Sequence, residues 1–326
     1  MKLTKDEIIH YLTTQDATPL LKKANEIREK TLGKEVHLRA LIEFSNICKN
    51  NCLYCGLRKD NKNLFRYRLT EEDILLSTKE AVSLGFKTIV LQSGEDMYFN
   101  EKRLCRLIEK IKKYDVALTL SIGERAYQEY KSFKEAGANR YLMRIETTDK
   151  NLYHKLNPKM SWQKRYECLL MIKELGYELG SGIMVGLPNQ SIESIANDLF
   201  FLKELDVDMA GVGPFIPHPQ TPLAKENNNN FMLSLRTMAL MRLLLEDINI
   251  PATTAMEVLK PNGQIIALQS GANVIMPNMT IPSCRKYYEL YPNKEKEVQT
   301  LDTIRQKLMS INRTISNDYG NHKRGK

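Results

Sequence analysis

Short apolar runs of strand-like composition alternate with helix-patterned segments through most of this 326-residue chain. Parallel strands that are neighbours in a sheet need a long crossover, usually a helix, so this alternation predicts a parallel α/β fold. Eight strands and seven intervening helices can be counted, which is the pattern of a (βα)8 TIM barrel. The predicted strands cover residues 39–46, 88–93, 117–122, 140–146, 180–186, 208–213, 250–255 and 273–277, and the predicted helices cover residues 71–84, 100–113, 125–136, 161–175, 191–205, 232–247 and 262–270.

The two ends of the chain lie outside this repeat. Residues 5–30 have the apolar spacing of a helix with a break at Pro19, and we expect this segment to close the bottom of the barrel. After about residue 285 the pattern weakens, and a last helix is expected near residues 294–312. We therefore predict one folded domain made of an N-terminal helical segment (1–35), a barrel (36–285) and a C-terminal helical extension (286–326).

Composition and charge argue against several classes of protein. The sequence has no run of about 18 apolar residues and no secretory leader, so neither a membrane span nor export is expected. Six cysteines are too few for a disulfide framework in a chain of this length, which favours a reducing cytoplasm. The net charge of +9 arises from basic residues that are spread along the chain and mixed with acidic ones. We therefore expect a solvated surface rather than a nucleic-acid-binding one.

Three of the six cysteines, Cys48, Cys52 and Cys55, lie within eight residues at CxxxCxxC spacing. Thiolates this close can bind one metal centre, and a 4Fe–4S cube held by three cysteines would keep its fourth iron open. Two other interpretations remain open. The cysteines could be small buried hydrophobic residues, although asparagines and a lysine make the segment polar. Zinc would need a fourth ligand, and the sequence offers no second CxxC or HxxxH pair.

The barrel predicts where the chemistry lies. Active sites in this fold lie at the carboxyl ends of the strands, and the cysteine loop directly follows the first predicted strand. Residues 92–95 directly follow the second. In the fourth strand, alternation places Arg140, Arg144 and Glu146 on one face, pointing into the barrel. Such charges are costly unless they bind each other or a charged ligand, so an internal Arg–Glu pair and a ligand site are the two alternatives.

The cysteine loop, with Tyr54 directly before its third cysteine, resembles that of the radical S-adenosylmethionine (SAM) enzymes. Within that superfamily, longer stretches of the chain resemble the HydE family of FeFe-hydrogenase maturases. The resemblance extends from about Arg39 to about Tyr291 and implies a TIM barrel of the radical SAM type. The stretches that carry it are residues 39–46, 55–58, 87–96, 184–188, 213–219, 251–256 and 271–278.

The resemblance implies one 4Fe–4S cluster on Cys48, Cys52 and Cys55, with SAM bound to the open iron. The reduced cluster would then pass one electron to SAM and release methionine and a 5′-deoxyadenosyl radical. Some relatives carry a second cluster near the C-terminus, but no cysteine follows Cys284, so we expect a single cluster.

Family roles transferred to matching positions give two sets of site residues. The SAM pocket is expected to include Tyr54, Gln92, Ser93, Gly94, Ser121, Glu146, Arg165 and Met184. The substrate cavity is expected to include Thr119, Arg140, Arg144, Thr253, Thr254 and Met276. The family's Gly-Gly-Glu motif is Ser-Gly-Glu here, at residues 93–95.

The resemblance also implies a role in assembling the diiron subcluster of FeFe-hydrogenase. The expected substrate is small and anionic, such as an iron–cysteine complex with carbonyl and cyanide ligands. Expected partners are a reductant protein such as ferredoxin or flavodoxin and other hydrogenase maturation proteins, with no membrane and no nucleic acid. Three alternatives remain: an enzyme like methylornithine synthase or biotin synthase, a radical SAM enzyme that acts on nucleic acid, and a non-catalytic iron–sulfur carrier or scaffold.

Overall fold

The computed structural model of the chain describes residues 2–227, 230–294 and 300–322. Its strands are β1 (Glu35–Leu38), β2 (Ala40–Ser45), β3 (Thr88–Ser93), β4 (Ala117–Ser121), β5 (Arg140–Leu142), β6 (Glu178–Val185), β7 (Met209–Pro214), β8 (Val274–Ile275) and β9 (Thr314–Ile315). Its helices are α1 (Lys5–Thr13), α2 (Thr18–Leu32), α3 (Glu71–Ser83), α4 (Glu101–Ile111), α5 (Tyr127–Glu135), α6 (Lys150–Leu156), α7 (Trp162–Glu174), α8 (Ile192–Glu204), α9 (Phe231–Leu244), α10 (Thr254–Leu259), α11 (Gly263–Leu268), α12 (Pro282–Arg285) and α13 (Leu301–Met309).

The main sheet consists of six parallel strands in the order β2-β3-β4-β5-β6-β7. It closes through short pairings, in which Asn249 bridges to β7 and Pro251 bridges to β8. β8 pairs in parallel with β1, which leads directly into β2, and Leu41 of β2 bridges to Asn278. The predicted (βα)8 TIM barrel is thus confirmed, with its seventh strand reduced to isolated bridges.

Local sequence signals set most element boundaries. Thr70 caps α3, because its hydroxyl accepts a hydrogen bond from the Asp73 backbone N–H at 3.1 Å and the Asp73 carboxylate accepts one from Thr70 N–H. Along β4, Leu118 and Leu120 are fully buried in the hydrophobic core, as alternation predicts. Among the described residues, none of the helices combines the length and apolar composition that a membrane span needs.

Three predicted strands are clearly shorter than expected, and of the run predicted as 273–277 only Val274–Ile275 forms a strand. In the run predicted as 140–146, only Arg140–Leu142 forms a strand, and Glu146 has a left-handed backbone with φ of 69°. In the run predicted as 250–255, α10 begins at Thr254. Three short helices, α6, α10 and α12, were not predicted, because helices of one or two turns depend on tertiary packing rather than on periodicity.

The bottom of the barrel differs from the prediction. The N-terminal helices α1 and α2 pack against α8 and α9 on the side of the barrel. The bottom is covered by the C-terminal tail, whose Tyr319 and Gly320 carbonyls accept hydrogen bonds from two buried arginines, Arg140 and Arg39, at 2.7 and 3.1 Å. Buried guanidinium groups need acceptors, and the tail supplies them. Of the predicted last helix, α13 is observed, and residues 295–299 lie outside the described residues.

Candidate active site

A cavity of about 340 Å³ lies at the carboxyl ends of the barrel strands. Its wall combines the three cysteines of the loop after β2 with residues at or just after the carboxyl ends of β3 to β8. Of the predicted site residues, it contains Cys48, Cys52, Cys55, Tyr54, Gln92, Ser93, Gly94, Ser121, Arg144, Glu146, Arg165, Met184, Thr253, Thr254 and Met276. The fold therefore brings together all but two of the predicted residues, although they are spread from residue 48 to residue 276.

The cysteine loop is held in place mainly by backbone contacts. The Cys48 sulfur accepts a hydrogen bond from the Glu95 N–H at 3.4 Å, and the Gly56 N–H donates to the Leu290 carbonyl at 3.1 Å. The Arg66 guanidinium donates to four carbonyl groups within and beside the loop. These contacts fix the direction of the thiols independently of what the thiols bind.

Burial raises the pKa of Cys48, and it raises that of Cys52 to about 12 with a further contribution from the neighbouring Cys48. Burial and then the neighbouring Cys52 raise the pKa of Cys55 as well. A bound cation favours the thiolate, so metal binding here displaces protons. Within the described residues, no three His, Cys, Asp or Glu side chains form a site for a single metal ion. A 4Fe–4S cluster does not need three ligands on one metal ion, because each cysteine binds a different iron.

Gly94 lies where the second loop passes closest to the cysteine loop. A Cβ atom at this position would be 2.3 Å from the Ile47 carbonyl oxygen and 2.8 Å from the Cβ of Cys48. Its N–H donates to the Ser45 carbonyl at 3.0 Å. Only glycine permits this approach of the two loops, which explains the position without any assumption about a ligand.

Arg144 and Glu146 form an ion pair at 3.1 Å on the cavity wall. Arg144 Nη2 also donates to the Ile183 carbonyl at 2.6 Å, and a Cβ at Gly213 would be 2.6 Å from the guanidinium. The Arg144 side chain is 32% exposed, so it is open to the cavity while it is paired. The structure therefore shows an internal Arg–Glu pair that also lines the cavity, and a ligand role for the pair stays a prediction.

Arg165 of α7 reaches the cavity between two carboxylates. Its Nε lies 3.0 Å from Glu124 Oε1, and its Nη2 lies 3.6 Å from Glu95 Oε1. Burial raises the pKa of Glu124, although the nearby Arg165 opposes this effect. Glu124 was not predicted. Its place in the loop directly after β4 is the one feature of the sequence that could have pointed to it.

Tyr54 and Met184 belong to a small apolar patch that is separate from the main core. The patch also includes Leu187 and Phe215. The Tyr54 hydroxyl donates to Asn157 Oδ1 at 2.8 Å, just after α6. The helix that was not predicted, α6, therefore helps to orient a predicted site residue.

Lys294 and Glu43 were also not predicted. The Lys294 ammonium forms an ion pair with Glu43, which is fully buried at the centre of the barrel and also accepts from Asn278 Nδ2 at 2.9 Å. Lys294 lines the cavity and lies 4.7 Å from the centroid of the Tyr288 ring. A glutamate inside a strand and a lysine in a distant loop give no sequence signal for such a pair.

Two predicted residues lie elsewhere. Arg140 is buried at the bottom of the barrel, where it pairs with Glu178 at 2.7 Å and donates to the Tyr319 carbonyl. Thr119 is next to it in the β4–β5 register, fully buried, and not part of the cavity wall. Alternation assigned Arg140 and Arg144 to one face, but four residues along a strand span roughly 13 Å. The two arginines therefore lie at opposite ends of the barrel.

The Radical SAM superfamily matches the chain over residues 42–202. The FeFe hydrogenase maturase subunit HydE of Thermotoga maritima is 53% identical over 309 residues, covering 94% of this chain and 89% of that protein. The 3-methylornithine synthase of Methanosarcina acetivorans is 31% identical over 307 residues, covering 92% and 86%. The crystal structure of a methylornithine synthase is similar with a TM-score of 0.88 at 26% identity, covering 97% of this chain and 95% of that one.

Of these similarities, the one to HydE extends over 94% of the chain, and the superfamily match over residues 42–202 includes the cysteine loop. The predicted enzyme class and cofactors are confirmed by them. The chain therefore belongs to the radical SAM superfamily and is a HydE-like radical SAM enzyme, which uses a 4Fe–4S cluster and SAM.

Proposed function

We propose that Cys48, Cys52 and Cys55 hold the 4Fe–4S cluster at the wall of the central cavity. Three observations support this assignment. All three thiols line the same cavity, backbone contacts orient their loop, and Gly94 allows the loop after β3 to pack directly against the cysteine loop. When bound, the reduced cluster supplies one electron that cleaves SAM to methionine and a 5′-deoxyadenosyl radical.

We further propose that SAM lies against the wall formed by Tyr54, Met184 and Glu146. The apolar patch around Tyr54 offers a flat surface for an adenine ring. Glu146 offers carboxylate oxygens for ribose hydroxyls or an ammonium group. The remaining proposed contacts come from Gln92 and Ser93 at the end of β3, from Gly94 directly after it, and from Ser121 and Arg165.

The proposed substrate is a small anionic iron–cysteine complex with carbonyl and cyanide ligands, used in assembly of the FeFe-hydrogenase diiron subcluster. The observation that carries this proposal is a pair of buried polar atoms on the cavity wall. Arg144 Nε and Thr253 Oγ1 both lack a hydrogen-bond partner among the described residues. Buried donors without partners are costly, and an anionic ligand would satisfy both. Thr254 and Met276 complete this part of the wall.

The sequence similarity to HydE supports a role in hydrogenase maturation, and therefore other maturation proteins and a protein reductant as partners. All six cysteines are free in the structure, which supports a reducing cytoplasmic location.

The proposal is tested under anaerobic conditions with the cluster reconstituted and reduced by dithionite. We expect 5′-deoxyadenosine to form from SAM in the wild type, to be absent in Cys48→Ala, and to persist in Cys105→Ala. Cys105 is a matched control because it lies on α4, outside the cavity. Addition of an iron–cysteine carbonyl–cyanide complex is expected to increase SAM turnover and to be converted itself.

The similarity to methylornithine synthase makes lysine the rival substrate. Turnover stimulated by lysine and not by the iron complex would overturn the proposed substrate while leaving the enzyme class intact. Arg144→Met separates the two further, because loss of the guanidinium is expected to weaken stimulation by an anionic complex about tenfold or more.

A further inference from the structure

Cys48 lines two separate openings. On its inner side is the central cavity, and on its outer side is a surface cleft of about 570 Å³. Cys52 and Cys55 line the central cavity and not this cleft. Of the three cysteines, Cys48 is therefore the one that lines both the cavity and the outer cleft. The outer cleft is formed by Ile47, Cys48, Lys49, Lys59, Asn61, Lys62, Leu64, Arg66, Arg68, Glu95, Asp96, Met97 and Tyr98.

The cleft presents positive charge to the solvent. Its cations Lys49, Lys59, Lys62 and Arg68 are exposed. Its two carboxylates are buried and engaged, since Asp96 pairs with Arg68 at 2.6 Å and Glu95 with Lys49 at 3.1 Å. Outside the lining, Asp60 accepts a hydrogen bond from Asn51 Nδ2 at 2.6 Å. The exposed charged side chains of the cleft lining are therefore lysines and an arginine, which attract an acidic partner.

Large apolar side chains lie among these cations. Met97 is 51% exposed, Tyr98 is 47% exposed, and the adjacent Phe65 is 62% exposed. The guanidinium groups of Arg103 and Arg68 lie 4.1 and 4.8 Å from the Tyr98 ring centroid, which orders the ring at the surface. Exposed apolar residues surrounded by charge are typical of a protein-binding surface, and small charged contacts of this kind suit transient electron-transfer partners.

We propose that this cleft docks an acidic one-electron carrier protein and that the electron enters at Cys48. Each encounter would oxidise the carrier by one electron and reduce the cluster by one, with no atom transferred. The carrier is of the class whose flavin or iron–sulfur group lies near an acidic surface. This assignment rests on the proposed function, because it takes Cys48 as a cluster ligand. The proposal adds where the electron donor binds and which class of protein it is, since the cluster must be reduced before SAM is cleaved.

The test measures binding of a flavodoxin to the cluster-loaded protein by calorimetry at low ionic strength. The variant is Lys59→Glu with Lys62→Glu, two exposed residues of the cleft to which no described residue offers a carboxylate partner. The matched control is Lys22→Glu with Lys23→Glu, which makes the same charge change on α2, a helix that packs against α9. We expect flavodoxin binding to weaken about tenfold or more in the cleft variant and within about twofold in the control.

Two activity measurements complete the test. With dithionite as reductant, 5′-deoxyadenosine formation should be the same in all three proteins. With reduced flavodoxin as the sole electron source, the cleft variant should need a higher carrier concentration for half-maximal rate, and added salt should remove the difference.

Several results would overturn the docking surface. The first is equal flavodoxin affinity in all three proteins, and the second is a loss of flavodoxin affinity in the control as large as that in the cleft variant. The third is a loss of 5′-deoxyadenosine formation by the cleft variant with dithionite, which would indicate damage to the cysteine loop. Preferential binding of a short mixed-sequence RNA by the cleft would assign it to nucleic acid instead. If dithionite fails to support SAM cleavage in the wild type, the proposed cluster site fails, whereas the flavodoxin affinity still tests the surface separately.

Discussion

Arg165 Nε lies 3.0 Å from Glu124 Oε1, and both side chains are almost completely buried. A second carboxylate, Glu95, lies 3.6 Å from the same guanidinium. Residues from three separate loops and helices are therefore held together by one arginine at the edge of the central cavity. Removal of one partner from such a group leaves an uncompensated buried charge, which is more costly than absence of the whole group.

For Arg165→Met we accordingly predict a loss of roughly 3–5 kcal/mol in the free energy of unfolding, measured by urea denaturation. The double variant Arg165→Met with Glu124→Gln should recover part of the loss, because the Glu124 charge is then removed and Glu95 keeps its ion pair with Lys49. With Glu124→Gln measured alone as well, a double-variant change equal to the sum of the two single-variant changes would show that Glu124 and Arg165 are not energetically coupled.

Gly94→Ala is predicted to prevent cluster assembly. The added methyl group would overlap the Ile47 carbonyl and the Cys48 side chain, so the cysteine loop must move. We expect the iron content after anaerobic reconstitution to fall to a small fraction of wild type, with the circular dichroism spectrum unchanged. The matched control is Gly211→Ala, where the nearest atom to the new Cβ is 3.8 Å away. Normal iron content in Gly94→Ala would contradict the close approach of the two loops.

Truncation after Ser316 is predicted to destabilise the barrel from its lower end. Arg39 and Arg140 would lose the Gly320 and Tyr319 carbonyls that now accept their hydrogen bonds. Because buried guanidinium groups would lose acceptors, we expect a decrease of roughly 3 kcal/mol in the free energy of unfolding. Truncation after His322 keeps every one of these contacts and serves as the control. Identical urea midpoints for the two truncated proteins would refute a structural role for the tail.

The stability of the protein should fall with rising pH because of Asp198. Burial raises the pKa of this carboxyl to about 6, although hydrogen bonds from Thr148 oppose the shift. The unfolded value is about 3.9, so the folded state binds the proton more tightly and the group stabilises the fold only at low pH. Between about pH 4.5 and about pH 7 we expect wild type to lose about 2 kcal/mol relative to Asp198→Asn.

The measurement for Asp198 is the difference in unfolding free energy between the two proteins as a function of pH. Asparagine keeps an oxygen acceptor for Thr148 and has no carboxyl proton to lose. A difference that is constant with pH would mean that Asp198 titrates at its ordinary value.

The barrel and the position of its chemistry could be predicted from sequence because both follow from local patterns. Alternating strand and helix segments require a parallel sheet, and a parallel barrel places every loop after a strand on one face. The cysteine loop and residues 92–95 could therefore be assigned to the same end of the barrel from their positions in the chain alone. The parallel sheet confirms the predicted fold class, and the similarity to radical SAM enzymes confirms the two cofactors.

Sequence patterns were thus sufficient for the fold class, for the cysteine loop and for the end of the barrel where that loop lies. Depth along the barrel axis and long-range charge pairing depended on tertiary structure. Alternation gives the face of a strand residue but not its height, so Arg140 and Arg144 could not be told apart without the sheet register. The pairs Glu43–Lys294 and Arg165–Glu124 join residues that are distant in the chain, and a buried charge selects its partner by proximity after folding.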